Sequence, residues 1–105
     1  MIIYTLKCRD NKYYVGKTKN FDRRWDQHSS GQGSAWTRKH PPTGIYNTFD
    51  SDDGYAEDMQ TLKMMEKYGI YNVRGGTWAR PYLSPADYDF ISKMINSKMD
   101  KCFQC

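Results

Sequence analysis

Apolar positions open the chain in two short runs, residues 2–8 (IIYTLKC) and 12–16 (KYYVG), with Asp10 and Asn11 between them. Both runs are rich in β-branched and aromatic side chains, so they predict a β-hairpin. From Asn20 the period changes. The segment NFDRRWDQHSSG sets Phe21, Trp25 and His28 at near-helical spacing, with Asn20 as N-cap, Asp22 in the first turn and Gly31 as terminator. Arg24 and His28, four apart, share one face of that helix. Residues 32–43 (QGSAWTRKHPPT) carry no period and read as a Gly, Ser and Pro loop with a basic cluster, Arg38, Lys39 and His40. Residues 44–49 (GIYNTF) predict a third strand, closed by the acidic turn DSDDG. Over 55–68, Met59, Leu62, Met65 and Tyr68 recur at helical spacing and predict an inward face, with Glu57 and Asp58 in the first turn and Gly69 as C-cap. After a stretch punctuated by Gly and Pro (YNVRGGTWARPYL), Ser84 as N-cap, Pro85 at the first position and Asp87 at the third start a last helix. The sum is a small α+β domain: a three-stranded, mainly antiparallel sheet flanked by helices, plus a C-terminal helix.

Size and composition narrow this picture. A chain of 105 residues fits one compact unit, divided here into residues 1–80 and a helical extension over 81–105. A hydrophobic content of 38% and a mean hydropathy of -0.92 exclude a membrane-spanning segment. An aromatic content of 15%, with nine Tyr, is too rich for a disordered chain. The net charge of +4 is unevenly spread: residues 1–40 carry nine Lys and Arg against three acids, residues 41–72 two against six, and residues 73–105 five against three. A basic first part suits a polyanion, and an acidic segment suits a cation. Cys8, Cys102 and Cys105 form no disulfide framework. The N-terminus has no signal pattern, so an intracellular, reducing setting is expected.

The order of elements brings the candidate chemistry together. Ile2-Ile3-Tyr4, then Tyr14-Val15-Gly16 ten residues on, then a helix reading FDRRW-x-x-H, resembles the GIY-YIG endonuclease superfamily over residues 2–73, with Ile2 in place of the first Gly. The resemblance implies a nuclease fold in which Tyr4 and Tyr14 line the active site, one of them as general base; the sequence leaves open which. It also implies a catalytic Arg directly before the helix aromatic, Arg24 here with Arg23 as the register alternative. His28 fits as a proton relay or as the hydrogen-bond partner of a Tyr. The family's single metal-binding Glu on the helix after the third strand falls on Glu57, with Glu66 as the fallback; counting back from Asn72 lands on Gln60 instead. Asp58 reads as a solvated or helix-capping charge, and Asn72 as a brace.

Phosphodiester hydrolysis explains these residue types. Water must lose a proton, phosphate charge must be neutralised, and the leaving oxygen must be stabilised. A phenol titrates near 10 and needs cations to act as a base, a field that Lys17 and Arg24 could supply. A helix-borne guanidinium grips two phosphate oxygens at once. Mg²⁺ (or Mn²⁺) takes one or two carboxylates and keeps its waters. The expected partner is DNA, contacted through phosphates by Lys17, Arg38, Lys39 and Arg74, with Trp36 as a base-stacking candidate. The expected activity is a Mg²⁺-dependent DNA endonuclease; the alternative is a nucleic-acid-binding module that has lost catalysis. Strings like YNVRGG resemble those of giant-virus and protist members, in which a zinc knuckle often follows. Cys102 and Cys105 supply half of such a motif, two of four ligands, as if the chain were cut within a longer protein.

Overall fold

The computed structural model describes the backbone of residues 1–104 and the side chains of residues 1–96. Cys102 and Cys105, the proposed half zinc motif, lie outside the described side chains. Strands β1 (Ile2–Cys8) and β2 (Lys12–Thr18) form the expected antiparallel hairpin. The turn between them works because Asp10 and Asn11 both adopt positive φ, 62° and 58°, which these residue types tolerate. Helices α1 (Phe21–Ser29) and α2 (Ala35–Lys39) follow, then β3 (Pro42–Asp50), α3 (Ala56–Tyr68), β4 (Val73–Gly75) and α4 (Pro85–Gln104).

The sheet has four strands rather than three, in the order β3-β1-β2-β4. The added strand pairs parallel to β2, with Tyr13, Tyr14 and Val15 opposite Val73, Arg74 and Gly75. Three residues, the last of them Gly75 with Gly76 following, are too few to show a strand period, which is why the sequence hides it. Side chains alternate across the hairpin. Ile3, Tyr13 and Val15 face α3 and α4, where Leu62, Met64, Met65, Trp78 and Ile91 complete the larger core. Tyr4, Leu6, Cys8 and Tyr14 face the other way, toward Trp36, Phe21 and Trp25. The candidate chemistry therefore lies on the face covered by α1 and α2.

Two expectations are corrected here. Residues 35–39, read as loop, form a single helical turn and a half, capped by Ser34, whose Oγ accepts from the Thr37 amide at 3.1 Å. The inward face of α3 is Gln60, Thr61, Leu62, Met64 and Met65, and Met59 is 42% exposed. Each three-residue step on a helix slips about 60° backward, so Met59 stands roughly 120° from Met65. The start of α4 behaves as predicted: Asp87 N–H donates to Ser84 Oγ, and Ser84 N–H donates back to the Asp87 carboxylate. Among the described residues, no helix is long and apolar enough to cross a membrane.

Candidate active site

The site starts from a strand register. Tyr4 on β1 lies directly opposite Gly16 on β2. A Cβ at Gly16 would run into the Tyr4 Oη and Cζ, so the glycine is what lets the ring fold flat across the neighbouring strand. Tyr4 is then buried, at 1% exposure, with its ring beside Tyr14, Phe21 and His28.

Helix α1 brings its polar face down on that phenol. Asn20 caps the helix by accepting from the Arg23 amide at 3.1 Å, and the resulting register turns Arg24 and His28 inward together. Arg24 Nε donates to Tyr4 Oη at 3.1 Å, and His28 Nε2 lies 2.9 Å from the same oxygen. Arg24 Nη1 donates to Gln27 Oε1 at 2.9 Å, while Nη2 has no partner among the described residues. Arg23, the register alternative, is exposed and does not reach the phenol. It lines, with Thr18, Lys19, Asn20, Arg24 and Gln27, an open cleft of about 280 Å³ beside the site.

Electrostatics make the resting cluster neutral apart from Arg24. Burial pushes Tyr4 up to about 12 against the pull of the Arg24 guanidinium, and burial lifts Tyr14 as well. Burial, helped by the Arg24 charge, lowers His28 to about 4. The unfolded chain therefore binds a proton on this histidine that the folded chain refuses. His28's contribution to stability is complete above pH ~6.5 and is lost as pH falls toward 4, a change of about 3 kcal/mol. Thermal melts from pH 7 to pH 4.5 should show a steeper loss in the wild type than in His28→Phe; equal slopes would contradict the neutral assignment.

Glu57, in the first turn of α3, is half-buried, and its carboxylate makes no hydrogen bond or ion pair among the described residues. Burial raises its titration, with Lys17 pulling down and Asp58 pushing up. Its charge bears on both Tyr4 and Tyr14. Of the two cations expected to act on the phenols, Arg24 reaches both, whereas the charge of Lys17 falls on Glu57. No cluster of three or more potential metal ligands occurs among the described residues. A lone carboxylate without a partner suits a cation that keeps most of its water shell, as Mg²⁺ does, and does not suit a protein-caged Zn²⁺.

The remaining candidates are placed as follows. Gln60 is buried and donates to Thr5 Oγ1 at 3.2 Å, so it belongs to the packing of α3 on the sheet. Glu66 is exposed and lies nine residues along α3 from Glu57, about 13 Å away. Asp58 is neither free nor a cap: it accepts from the Thr77 amide at 2.8 Å and the Thr77 hydroxyl at 2.7 Å, pinning the turn after β4. Asn72 accepts from Lys12 Nζ at 2.6 Å and donates to the Tyr68 carbonyl at 2.7 Å, bracing the end of α3 against the turn end of the hairpin. Arg74 does not face DNA. It is 3% exposed, its guanidinium donates to the carbonyls of Ile70, Val73, Arg80 and Pro81, and it lies over the Trp36 ring at 4.5 Å. Trp36 is likewise interior, at 3% exposure, with Nε1 donating to the Tyr13 carbonyl at 2.9 Å, so it offers no face to a base. Arg38 and Lys39 are exposed on α2. Sequence reading missed Gln27, Ser34 and Thr37. Gln27 was within reach of it, standing three residues after Arg24 on a helix.

Comparison with known proteins places the domain in a family. The GIY-YIG catalytic domain matches residues 1–74. The chain is 30% identical over 81 residues to a UPF0213 protein of Halalkalibacterium halodurans, covering 72% of this chain and 86% of the relative. It is 31% identical over 67 residues to a UPF0213 protein of Natronomonas pharaonis, covering 62% and 79%. A UPF0213 protein of Streptococcus pneumoniae is 45% identical over 43 residues, covering 41% and 43%. No solved structure gives a significant match. With the helix arginine and the histidine meeting at the buried oxygen of the first tripeptide's tyrosine, and with the family match running from the hairpin into β4, the chain belongs to the GIY-YIG catalytic domain family.

Proposed function

We propose that residues 1–80 form a divalent-metal-dependent DNA endonuclease unit, with the helix after it as an extension. The observation that carries this reading is the Tyr4 hydroxyl held between Arg24 Nε at 3.1 Å and His28 Nε2 at 2.9 Å. A phosphate gripped at the open Arg24 Nη2 lies beside that hydroxyl, and the guanidinium neutralises charge as it builds on the phosphate oxygens. The water oxygen bonds to phosphorus as its proton passes to Tyr4 Oη and the phenolic proton passes to His28 Nε2. The displaced alkoxide takes a proton from solvent, and His28 passes its extra proton back to Tyr4 Oη as that phenol releases one to solvent, which closes the cycle.

In this reading the two transfers are concerted. Burial raises Tyr4 to about 12 and lowers His28 to about 4, so both the phenolate and the imidazolium are disfavoured in the resting site. If the phenol takes the water's proton as it gives up its own, no phenolate forms. Glu57 would hold the Mg²⁺ or Mn²⁺, which supplies charge neutralisation at the leaving oxygen. Exposed Lys17, Arg38 and Lys39 carry the DNA backbone, so affinity falls steeply with salt.

The test is binding and nicking of supercoiled plasmid on one protein preparation, at low and high salt. Salt-sensitive binding with nicking supports the endonuclease. Undiminished binding without nicking in Mg²⁺ or Mn²⁺ would make the chain a binding module instead.

A further inference from the structure

The imidazole of His28 is held from its far side by a residue that has no part in the proton path itself. His28 Nδ1 lies 2.8 Å from the hydroxyl of Thr37 on α2, and both residues are 1% exposed. The loop between α1 and α2 closes over this contact: a Cβ on Gly33 would collide with His28 Nδ1 and Thr37 Oγ1 together. Water therefore has no room at Nδ1, and Thr37 is its partner among the described residues.

Hydrogen accounting assigns the protons from both ends. Tyr4 Oη has two partners among the described residues, Arg24 Nε, which can only donate, and His28 Nε2. A buried phenol must place its own proton somewhere, so Nε2 must be the acceptor. The remaining ring proton then sits on Nδ1. At the other end, Thr37 Oγ1 lies 3.2 Å from the Ser34 carbonyl, which can only accept. The threonine proton can go there, or to Ser34 Oγ at the same distance, and either choice leaves a lone pair for Nδ1. The Thr37 end therefore accommodates the tautomer that the Tyr4 end requires.

We propose that Thr37 is a positioning residue of this site: by accepting the Nδ1 proton of His28 it fixes the tautomer whose Nε2 takes the proton of Tyr4. In the opposite tautomer, an Nε2–H would point at the Tyr4 oxygen, the phenolic proton would have no acceptor, and the relay could not run. The groups that face the imidazole are Tyr4, Tyr14 and Arg24; Tyr4 favours the same tautomer from the Nε2 side, and Thr37 is what holds the ring proton on the Nδ1 side. The kinetic consequence rests on the endonuclease reading, whereas the tautomer itself does not.

Long-range ¹H–¹⁵N spectra of the full chain at pH 7 read the tautomer directly, and His40→Gln assigns the two histidines. The wild type and Thr37→Ser should show His28 neutral with its proton on Nδ1; Thr37→Val, which leaves a buried Nδ1–H without an acceptor, should weaken that preference. In nicking assays Thr37→Val should lower kcat by about 10- to 100-fold with KM within about twofold, and Thr37→Ser should recover most of the rate. A wild-type proton on Nε2, or a Thr37→Val protein with unchanged tautomer and rate, would overturn the proposal. Should Thr37→Val fail to fold, Thr37→Ala makes the same comparison: a weakened Nδ1 preference is expected, and an unchanged tautomer and rate would overturn the proposal. If the wild type binds DNA without nicking, the endonuclease reading fails, and the spectra alone decide the role of Thr37.

Discussion

Arg24→Ala is expected to fold normally, bind DNA, and nick it about 10²- to 10³-fold more slowly than the wild type. Three consequences of the substitution act together. The Tyr4 oxygen loses the Nε donor at 3.1 Å, the phosphate loses its fork at Nη2, and the field that opposes the burial of both phenols disappears. Arg24→Lys should recover little, because an ammonium cannot donate to Tyr4 and grip a phosphate in one plane. Folding should survive, since the side chain is partly exposed and Tyr4 keeps His28 as a partner. Single-turnover nicking beside a thermal melt checks both halves. A folded Arg24→Ala protein at wild-type rate would remove the guanidinium from the mechanism.

Glu57→Gln is expected to separate activity from stability in the opposite sense. Metal-dependent nicking should fall about 10²- to 10⁴-fold, because the amide cannot replace a carboxylate as a hard-cation ligand. Stability at pH 7 should hold or rise. Burial lifts the titration of Glu57 above that of an exposed glutamate, so its ionised form is disfavoured in the folded chain, and this penalty fades as pH falls through the raised value. The gain on substitution should therefore be present at pH 7 and absent near pH 4. A carboxylate that served packing alone would show the reverse: loss of stability on replacement and no loss of rate.

The parts of this site that could be read from sequence are those set by local rules. The hairpin follows from two β-rich runs and a turn pair, and helix α1 from an Asn cap and a helical period; together they deliver Tyr4, Tyr14, Arg24 and His28. The parts that could not be read depend on distant partners. Trp36 and Arg74 look like ligands of DNA in a basic, glycine-rich context, yet they stack on each other because β4, seen only as a short glycine-ended run, carries Arg74 beside β2. Asp58 reads as a solvated charge until the turn holding Thr77 comes back to it. Thr37 gives no signal at all, because its role requires knowing which nitrogen of His28 faces Tyr4.

The most direct test of the central claim is single-turnover nicking of supercoiled plasmid by the wild type across a Mg²⁺ titration and in chelator. The account predicts nicking that rises to saturation with Mg²⁺, vanishes in chelator and is at least about 10²-fold slower in Glu57→Gln at every Mg²⁺ concentration that saturates the wild type. Nicking that persists in chelator, or a Glu57→Gln protein that keeps the wild-type metal response, would contradict it.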